Sequence, residues 1–250
     1  MATDQREQDI IDSFIGFADR LIDDVDVLDL TTQLARDCAR LLDVAAAGLL
    51  LADARGVLHL LAATSEEARK VEAFQLQRDE GPCLDCYQTG APVNVADLRT
   101  QTGRWPRFTS VAAEQGFASV HAIPLRLRDD RLGALGLFGG APGTLNDTDL
   151  SLARGLAHVA SMAIVQAGRP PDHVDVLTAL QSAVTGRAAV EMAKGVLAET
   201  HSVGTEEAFH LLRGYAHQHQ RHLADVARAV VSGALPATSI TGSAAHQTQP

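Results

Sequence analysis

The sequence predicts an α+β domain with an antiparallel sheet, followed by a separate all-α unit of three helices. Three observations lead to this prediction. After Ala45, apolar residues stop recurring at steps of three and four and form short continuous runs. The Gly-Arg-Pro-Pro segment at residues 168–171 must interrupt any helix. Beyond His173, apolar residues return to helical spacing in three successive segments.

The first segment begins with helices and continues as strands. Amphipathic helices are expected over 10–22 and 30–42, because each range has apolar residues along one face. Apolar runs at 47–52 and 57–63 are separated by residues 53–56, a turn of hairpin length. We then expect a polar helix at 65–76, a short strand at 93–95 and a further helix at 108–115. A second hairpin at 118–138 and a long helix at 146–167 follow. This order is typical of an α+β domain.

Charge is distributed unevenly along the chain. The first 172 residues hold 16 Lys and Arg against 25 Asp and Glu, whereas the remainder holds 5 against 6, with seven of the ten histidines. Phosphate contacts need local cations. The net charge of -10 belongs mostly to the first segment, so it does not argue against nucleic-acid binding by the second.

Composition also bears on location. Uncharged stretches reach about fifteen residues, whereas a membrane-spanning helix needs about twenty. The first ten residues lack the apolar core of a secretory signal. Three cysteines cannot form a disulfide framework in a chain of 250 residues. We therefore expect a cytoplasmic protein without a membrane partner.

Four motifs of the first segment share the pattern of one sensor family. They are Glu-Gly-Pro-Cys at 80–83, Thr-Gly-Ala-Pro-Val at 89–93, the apolar-Pro-Leu strand at 119–125 and the Gly-alternating strand at 132–138. Together they resemble a GAF domain. The resemblance implies a GAF sensor domain over residues 1–168, with an unknown small-molecule or redox signal bound on one face of the sheet. It names neither the ligand nor a cofactor, because fold does not fix function.

The two cysteines of the first motif region are candidate sensing residues, together with His121. Cys83 and Cys86 have the spacing of a dithiol switch or of half a zinc site. A zinc site would also need Cys38 and a histidine such as His59 or His121. The structural alternative is that both cysteines pack at the start of a helix.

A catalytic reading of these thiols is the main alternative to a sensor. It would make the protein a thiol-dependent GAF-fold enzyme of the methionine sulfoxide reductase type. However, no catalytic base, nucleophile and orienting partner occur together in the sequence. We therefore predict that the protein is not an enzyme.

The second segment is helical. Helices are expected over 173–201, from Thr205 as N-cap to residue 216, and over 223–230. The tail at 236–250 consists mainly of Ala, Thr, Ser, Gly and Gln without apolar periodicity, and is expected to be disordered.

Three stretches of this segment, 187–197, 207–216 and 221–227, are similar to the ANTAR domain of bacterial transcription antiterminators. The resemblance implies that residues 174–235, after a linker at 169–173, bind RNA with paired stem-loops. It also implies a homodimer paired through the first helix. With a GAF domain in front, the chain resembles a GAF and ANTAR regulator of the actinobacterial type.

Apolar residues on the first of these helices are compatible with that dimer. Leu177, Leu180 and Val184 fit a heptad seam and would form a dimeric coiled coil. The alternative is that they belong to an ordinary core.

The first ANTAR helix carries candidate RNA contacts. Arg187 and Lys194 are seven residues apart and so lie two turns along one face, as tracking a phosphate backbone requires. Glu191 between them allows a surface ion-pair ladder instead. Gly195 costs about 1 kcal/mol relative to Ala inside a helix, which suggests close approach of another helix or of RNA; we favour a helix.

The second ANTAR helix and the turn after it supply the other candidates. Arg213 and His217 are an i, i+4 pair, with Arg221 shortly after them. Tyr215 offers a ring to a looped-out base or belongs to the core. The three histidines within 217–222 are a weaker candidate for a metal site, because positions two apart on a helix point to opposite sides.

Overall fold

Two separately packed units, Met1–Leu180 and Gln181–Pro250, make up the chain. The structure, a computed structural model, describes residues 2–19, 26–53, 55–167 and 176–241. The expected linker at 169–173 lies outside the described residues. The division falls after Leu180, within a helix, and therefore later than the expected domain start at residue 174.

The first unit is built on a five-stranded antiparallel sheet. Its strands are β1 (Ala46–Ala52), β2 (Leu58–Ala63), β3 (Val93–Val95), β4 (Ser119–Leu127) and β5 (Asp130–Gly139). Their order across the sheet is β2-β1-β5-β4-β3. Both expected hairpins are present, since β1 pairs with β2 and β4 pairs with β5. The sheet confirms the α+β prediction.

Among the described residues up to 167, six α-helices flank the sheet in two groups. They are α1 (Ala2–Asp19), α2 (Val27–Leu41), α3 (Glu66–Arg78), α4 (Pro82–Thr89), α5 (Pro106–Glu114) and α6 (Asp147–Ala167). The first group consists of α1, α2 and α6, which pack against one another. The second group consists of α3, α4 and α5, in which α3 contacts both of the others. No described helix has the length and apolar character needed to cross a membrane.

Local sequence sets the starts of several helices. Asp26 caps α2 and Ser65 caps α3, each through a side-chain oxygen that accepts backbone N–H bonds. Pro106 opens α5 at a position that suits proline. The Glu80 side chain accepts bonds from the N–H groups of Arg107 and Phe108 at 2.8 and 2.9 Å. Glu80 thereby fixes the segment before α4 against the start of α5.

A pair of glycines makes room for α3 on the sheet. Gly48 on β1 lies directly opposite Gly136 on β5. A Cβ atom at Gly48 would stand 2.7 Å from the Glu72 side chain of α3, and one at Gly136 would stand 2.5 Å from Glu72 Oε1. Real Cβ atoms essentially never come this close to another heavy atom. The glycine pair therefore allows the Glu72 carboxyl group to lie against the strands.

The three expected helices are present as α7 (Val176–His201), most of which belongs to the second unit, α8 (Thr205–Gln218) and α9 (Leu223–Val231). Leu197, Leu212 and Val226 are fully buried, one from each helix. The capping residue of α8 is Gly204, and Thr205 is the first helical residue. The prediction of Thr205 as N-cap was therefore wrong by one position.

The folded part of this unit extends beyond α9. Ala237–Ser239 forms a 3-10 turn, and Ile240 is fully buried. The His201 ring Nε2 lies 3.0 Å from the Ala237 carbonyl oxygen, which ties the turn to the end of α7. The prediction that disorder begins at residue 236 was thus wrong for 236–241, because an apolar side chain there finds a buried position. Residues 242–250 lie outside the described part of the chain.

Candidate functional site

The two candidate sensing cysteines, Cys83 and Cys86, lie on α4 and are fully buried. The Cys83 backbone N–H donates to Gln75 Oε1 at 2.9 Å, and Cys83 Sγ lies 3.5 Å from Glu72 Oε1. Gln75 Nε2 also donates to Glu72 Oε2 at 2.7 Å. The structure thus brings Cys83 together with two polar residues of α3. We call Glu72, Gln75 and Cys83 the α3–α4 polar cluster.

Burial determines the protonation states in this cluster. It raises the pKa of Glu72 to about 8, so the carboxyl group is neutral at neutral pH. Burial, reinforced by Glu72, raises the pKa of Cys83 well above its ordinary value. The pKa of Cys86 rises to about 12, again mainly through burial. Because the reactive form of cysteine is the thiolate, both thiols are held in their unreactive form.

This environment predicts slow thiol chemistry in the folded protein. At pH 7, Cys83 and Cys86 should react with iodoacetamide at least about a hundredfold more slowly in the native protein than in urea, because reaction requires local opening. Peptide mass spectrometry of alkylated protein measures each site separately. Similar rates in the two states would contradict the buried arrangement.

The third sensing candidate, His121, lies elsewhere in the unit. Its Nδ1 atom lies 3.2 Å from Asn94 Oδ1, and its Nε2 atom accepts a hydrogen bond from the Leu145 N–H at 3.3 Å. Burial lowers the pKa of His121, which favours the neutral ring that this geometry needs. The ring ties the segment after β5 to the sheet and lines a cavity of about 530 Å³. Neither Cys83 nor Cys86 lines this cavity.

Metal binding receives no support within 2–19, 26–53, 55–167 and 176–241. No group of three or more His, Cys, Asp or Glu in these ranges could hold a metal ion. Cys38, the proposed third zinc ligand, is buried on α2, and burial raises its pKa.

Sequence reasoning missed Glu72 and Gln75. Both occur in a helix that reads as polar, and their spacing of three residues is common on a solvated surface. The available signal was on the sheet, where Gly48 and Gly136 leave a space without side chains. That space indicates that something must lie against the strands there, but it does not identify the residue.

In the second unit, the Lys194 side chain lies beside Glu191 of its own helix and the Phe209 ring of α8. Its side chain is only 13% exposed. Its Nζ atom lies 3.2 Å from Glu191 Oε2 on the same helix and 5.8 Å from the ring centroid of Phe209 on α8. The ammonium group therefore already has an anion and an aromatic face as partners. Arg187, two turns earlier on α7, is half-buried.

Gly195 does not show the expected close contact. A Cβ atom at this position would meet nothing within 4 Å in the described part of the chain. The expected approach of another helix is therefore not found among these residues, and Gly195 lies exposed on α7.

The remaining RNA candidates lie around the end of α8. The Tyr215 ring stacks on the His219 ring, with centroids 3.9 Å apart and an angle of 19° between the planes. His217 and Arg221 are exposed, whereas Arg213 is half-buried. We call these five residues the α8–α9 surface. Arg213 and His217 lie four residues apart on one side of α8, whereas Tyr215, two positions from each of them, points to the opposite side.

His210 is a further member of this region that the sequence analysis did not single out. It is exposed, and it precedes Arg213 by three residues and His217 by seven. These spacings place the three side chains along one face of α8. The same periodicity could have identified His210 from the sequence.

Comparison with known families bears on both units. The model of the GAF domain family matches residues 24–165, more than half of the chain. The chain belongs to the GAF domain family. The model of the ANTAR domain matches residues 178–231. These matches confirm the resemblances to a GAF domain and to an ANTAR domain, and they are consistent with a GAF and ANTAR domain regulator.

Several solved structures are similar to part of the chain. The GAF domain of a phosphoenolpyruvate-protein phosphotransferase from Coxiella burnetii has 14% identity and a TM-score of 0.50, covering 64% of this chain and 95% of its own. The corresponding Acinetobacter domain has 18% identity and a TM-score of 0.49, with coverages of 65% and 97%. A free methionine-R-sulfoxide reductase from Neisseria meningitidis, in complex with its substrate, has 16% identity and a TM-score of 0.47, with coverages of 60% and 85%. At these identities the likeness concerns the fold alone. None of the curated proteins matches the chain.

Proposed function

We propose that the ANTAR unit binds RNA with paired stem-loops and promotes transcription antitermination under control of a signal sensed by the GAF unit. The observation that carries this proposal is the ANTAR match over 178–231. The exposed Arg221 and the stacked rings of the α8–α9 surface support it, because looped nucleotides are bound by phosphate contacts and by stacking.

Within this proposal, Arg221 and His217 contact phosphates, and the Tyr215–His219 pair receives an unstacked base. Arg221 is exposed in the turn after α8. Lys194 joins α7 to α8, since its ammonium group lies beside Glu191 and the Phe209 ring. Arg187 and Gly195 remain candidate contacts on α7.

A homodimer is part of the proposal. Ala188, Met192 and Val196 recur every four residues on α7, and the last two are 53% and 41% exposed. An exposed apolar stripe on a helix favours pairing with another chain. Two copies would also double the five cations of the second segment. The heptad seam at Leu177, Leu180 and Val184 falls on side chains outside the described part of the structure.

The signal is proposed to be a small molecule or an oxidant, and the protein to act in the cytoplasm without catalysing a reaction. The cavity beside His121 supports a small-molecule signal. The buried thiols of Cys83 and Cys86 make direct oxidation slow in the closed unit. These observations favour ligand binding over direct oxidation as the input.

Arg221→Ala tests the assignment of the RNA-binding surface. With an RNA that carries two adjacent hairpins, the wild type is expected to bind with an affinity that falls steeply with salt. Arg221→Ala should weaken binding and reduce the slope of log K against log salt by about one, because one phosphate contact is lost. Fluorescence anisotropy over a range of salt concentrations measures this slope.

Arg228→Ala is the matched control. Arg228 is an exposed arginine of α9 that pairs with Asp225, three residues before it. This variant should leave the slope unchanged. Equal effects of the two substitutions would contradict the α8–α9 surface, whereas failure of the wild-type dimer to bind the RNA at low salt would contradict the function itself.

A further inference from the structure

Glu72 is a fully buried carboxylic acid whose hydrogen-bond partners in the polar cluster are neutral. The Gln75 amide donates to Oε2, and the Cys83 thiol lies against Oε1. An ionised carboxylate is costly to bury without a cation beside it. The folded unit therefore holds this acid with its proton, in agreement with a pKa raised to about 8.

The elements around Glu72 supply no compensating charge. Helix α4 presents the thiols of Cys83 and Cys86, and ionised Glu72 would disfavour their thiolates. On β1 and β5, the glycine pair lies against the Glu72 side chain. On β2, His59 directs Nε2 toward Asp53, 3.2 Å away. Both charged residues of α5 are exposed. Loss of the proton therefore leaves the negative charge of Glu72 uncompensated by these elements.

We propose that the proton of Glu72 keeps α3 and α4 closed over the sheet, so that this part of the GAF unit acts as a pH-sensitive switch. When the proton passes to solvent, the carboxylate regains water only if α3 and α4 separate from the glycine pair. The same separation uncovers Cys83 and Cys86. This inference concerns the GAF unit by itself and does not depend on RNA binding.

The sign of the effect follows from proton binding. An exposed glutamate titrates near pH 4.3, whereas Glu72 in the closed unit titrates near pH 8. Between these values the closed form holds one more proton than the open form, so opening increases by about tenfold per pH unit. The stabilisation of the closed form by the Glu72 proton is fully present below about pH 4.3. It is lost as the pH rises to about 8.

Hydrogen exchange of the full-length protein tests the switch. Between pH 5.5 and 7.5, protection factors of amides in α3 and α4, corrected for intrinsic exchange rates, should fall about a hundredfold. Amides of β4 in the same molecule should keep their protection. In Glu72→Gln, which preserves the size and hydrogen-bonding shape of the side chain without a titrating group, the α3 and α4 values should stay constant.

Glu67→Gln is the matched control, because Glu67 is an exposed glutamate in the first turn of the same helix. It should reproduce the wild-type pH dependence. Constant protection of α3 and α4 in the wild type overturns the proposal, and this result needs no variant. An equal fall in Glu72→Gln, or an equal fall across β4, overturns it as well.

Discussion

Gly136→Val is expected to destabilise the GAF unit by about 3 kcal/mol or more. A Cβ atom at Gly136 would stand 2.5 Å from Glu72 Oε1 and 2.9 Å from Cys83 Sγ. Both neighbours are buried and fixed by hydrogen bonds, so neither can move aside easily. Urea unfolding followed by the fluorescence of Trp105, the only tryptophan, measures the change in free energy.

Two further variants define the cause of this effect. Gly103→Val places the same side chain where a Cβ meets nothing within 4 Å, and its cost should stay within about 0.5 kcal/mol. Glu72→Ala removes the obstructing carboxyl group, so part of the cost of Gly136→Val should disappear in the double variant. Strict additivity of Glu72→Ala and Gly136→Val would show that the two positions do not compete for this space.

Most elements were predictable in order because apolar spacing follows the exposure of each face, but the short helix α4 was not predicted. The alternating glycines of β5 and the apolar runs of β1 were enough to predict the central sheet. The end of the second unit was not predictable in this way. A single apolar residue, Ile240, anchors it, and one residue carries no periodicity.

For the candidate sites, the sequence predicted which residues are present better than it predicted their roles. Lys194 has the spacing of a phosphate contact, but its role depends on Phe209, which is fifteen positions away in sequence. Cys83 has the spacing of a reactive thiol, but Glu72 and complete burial oppose its ionisation. Such roles depend on tertiary neighbours, and helical or strand periodicity does not report them.

Phe209→Ala is expected to unfold the ANTAR unit or leave it marginally stable, with a loss of about 3–5 kcal/mol. Phe209 is 4% exposed on α8, and its ring lies beneath the Lys194 ammonium group. A helical unit of about sixty residues has little stability to lose. Urea unfolding monitored by far-ultraviolet circular dichroism should show loss of the transition of this unit, and RNA binding should disappear with it.

Val231→Ala also shortens an apolar side chain, but at an exposed position of α9, and should change stability by no more than about 0.5 kcal/mol. Equal stability losses in the two variants would contradict the role of Phe209 as the contact that joins α7 to α8.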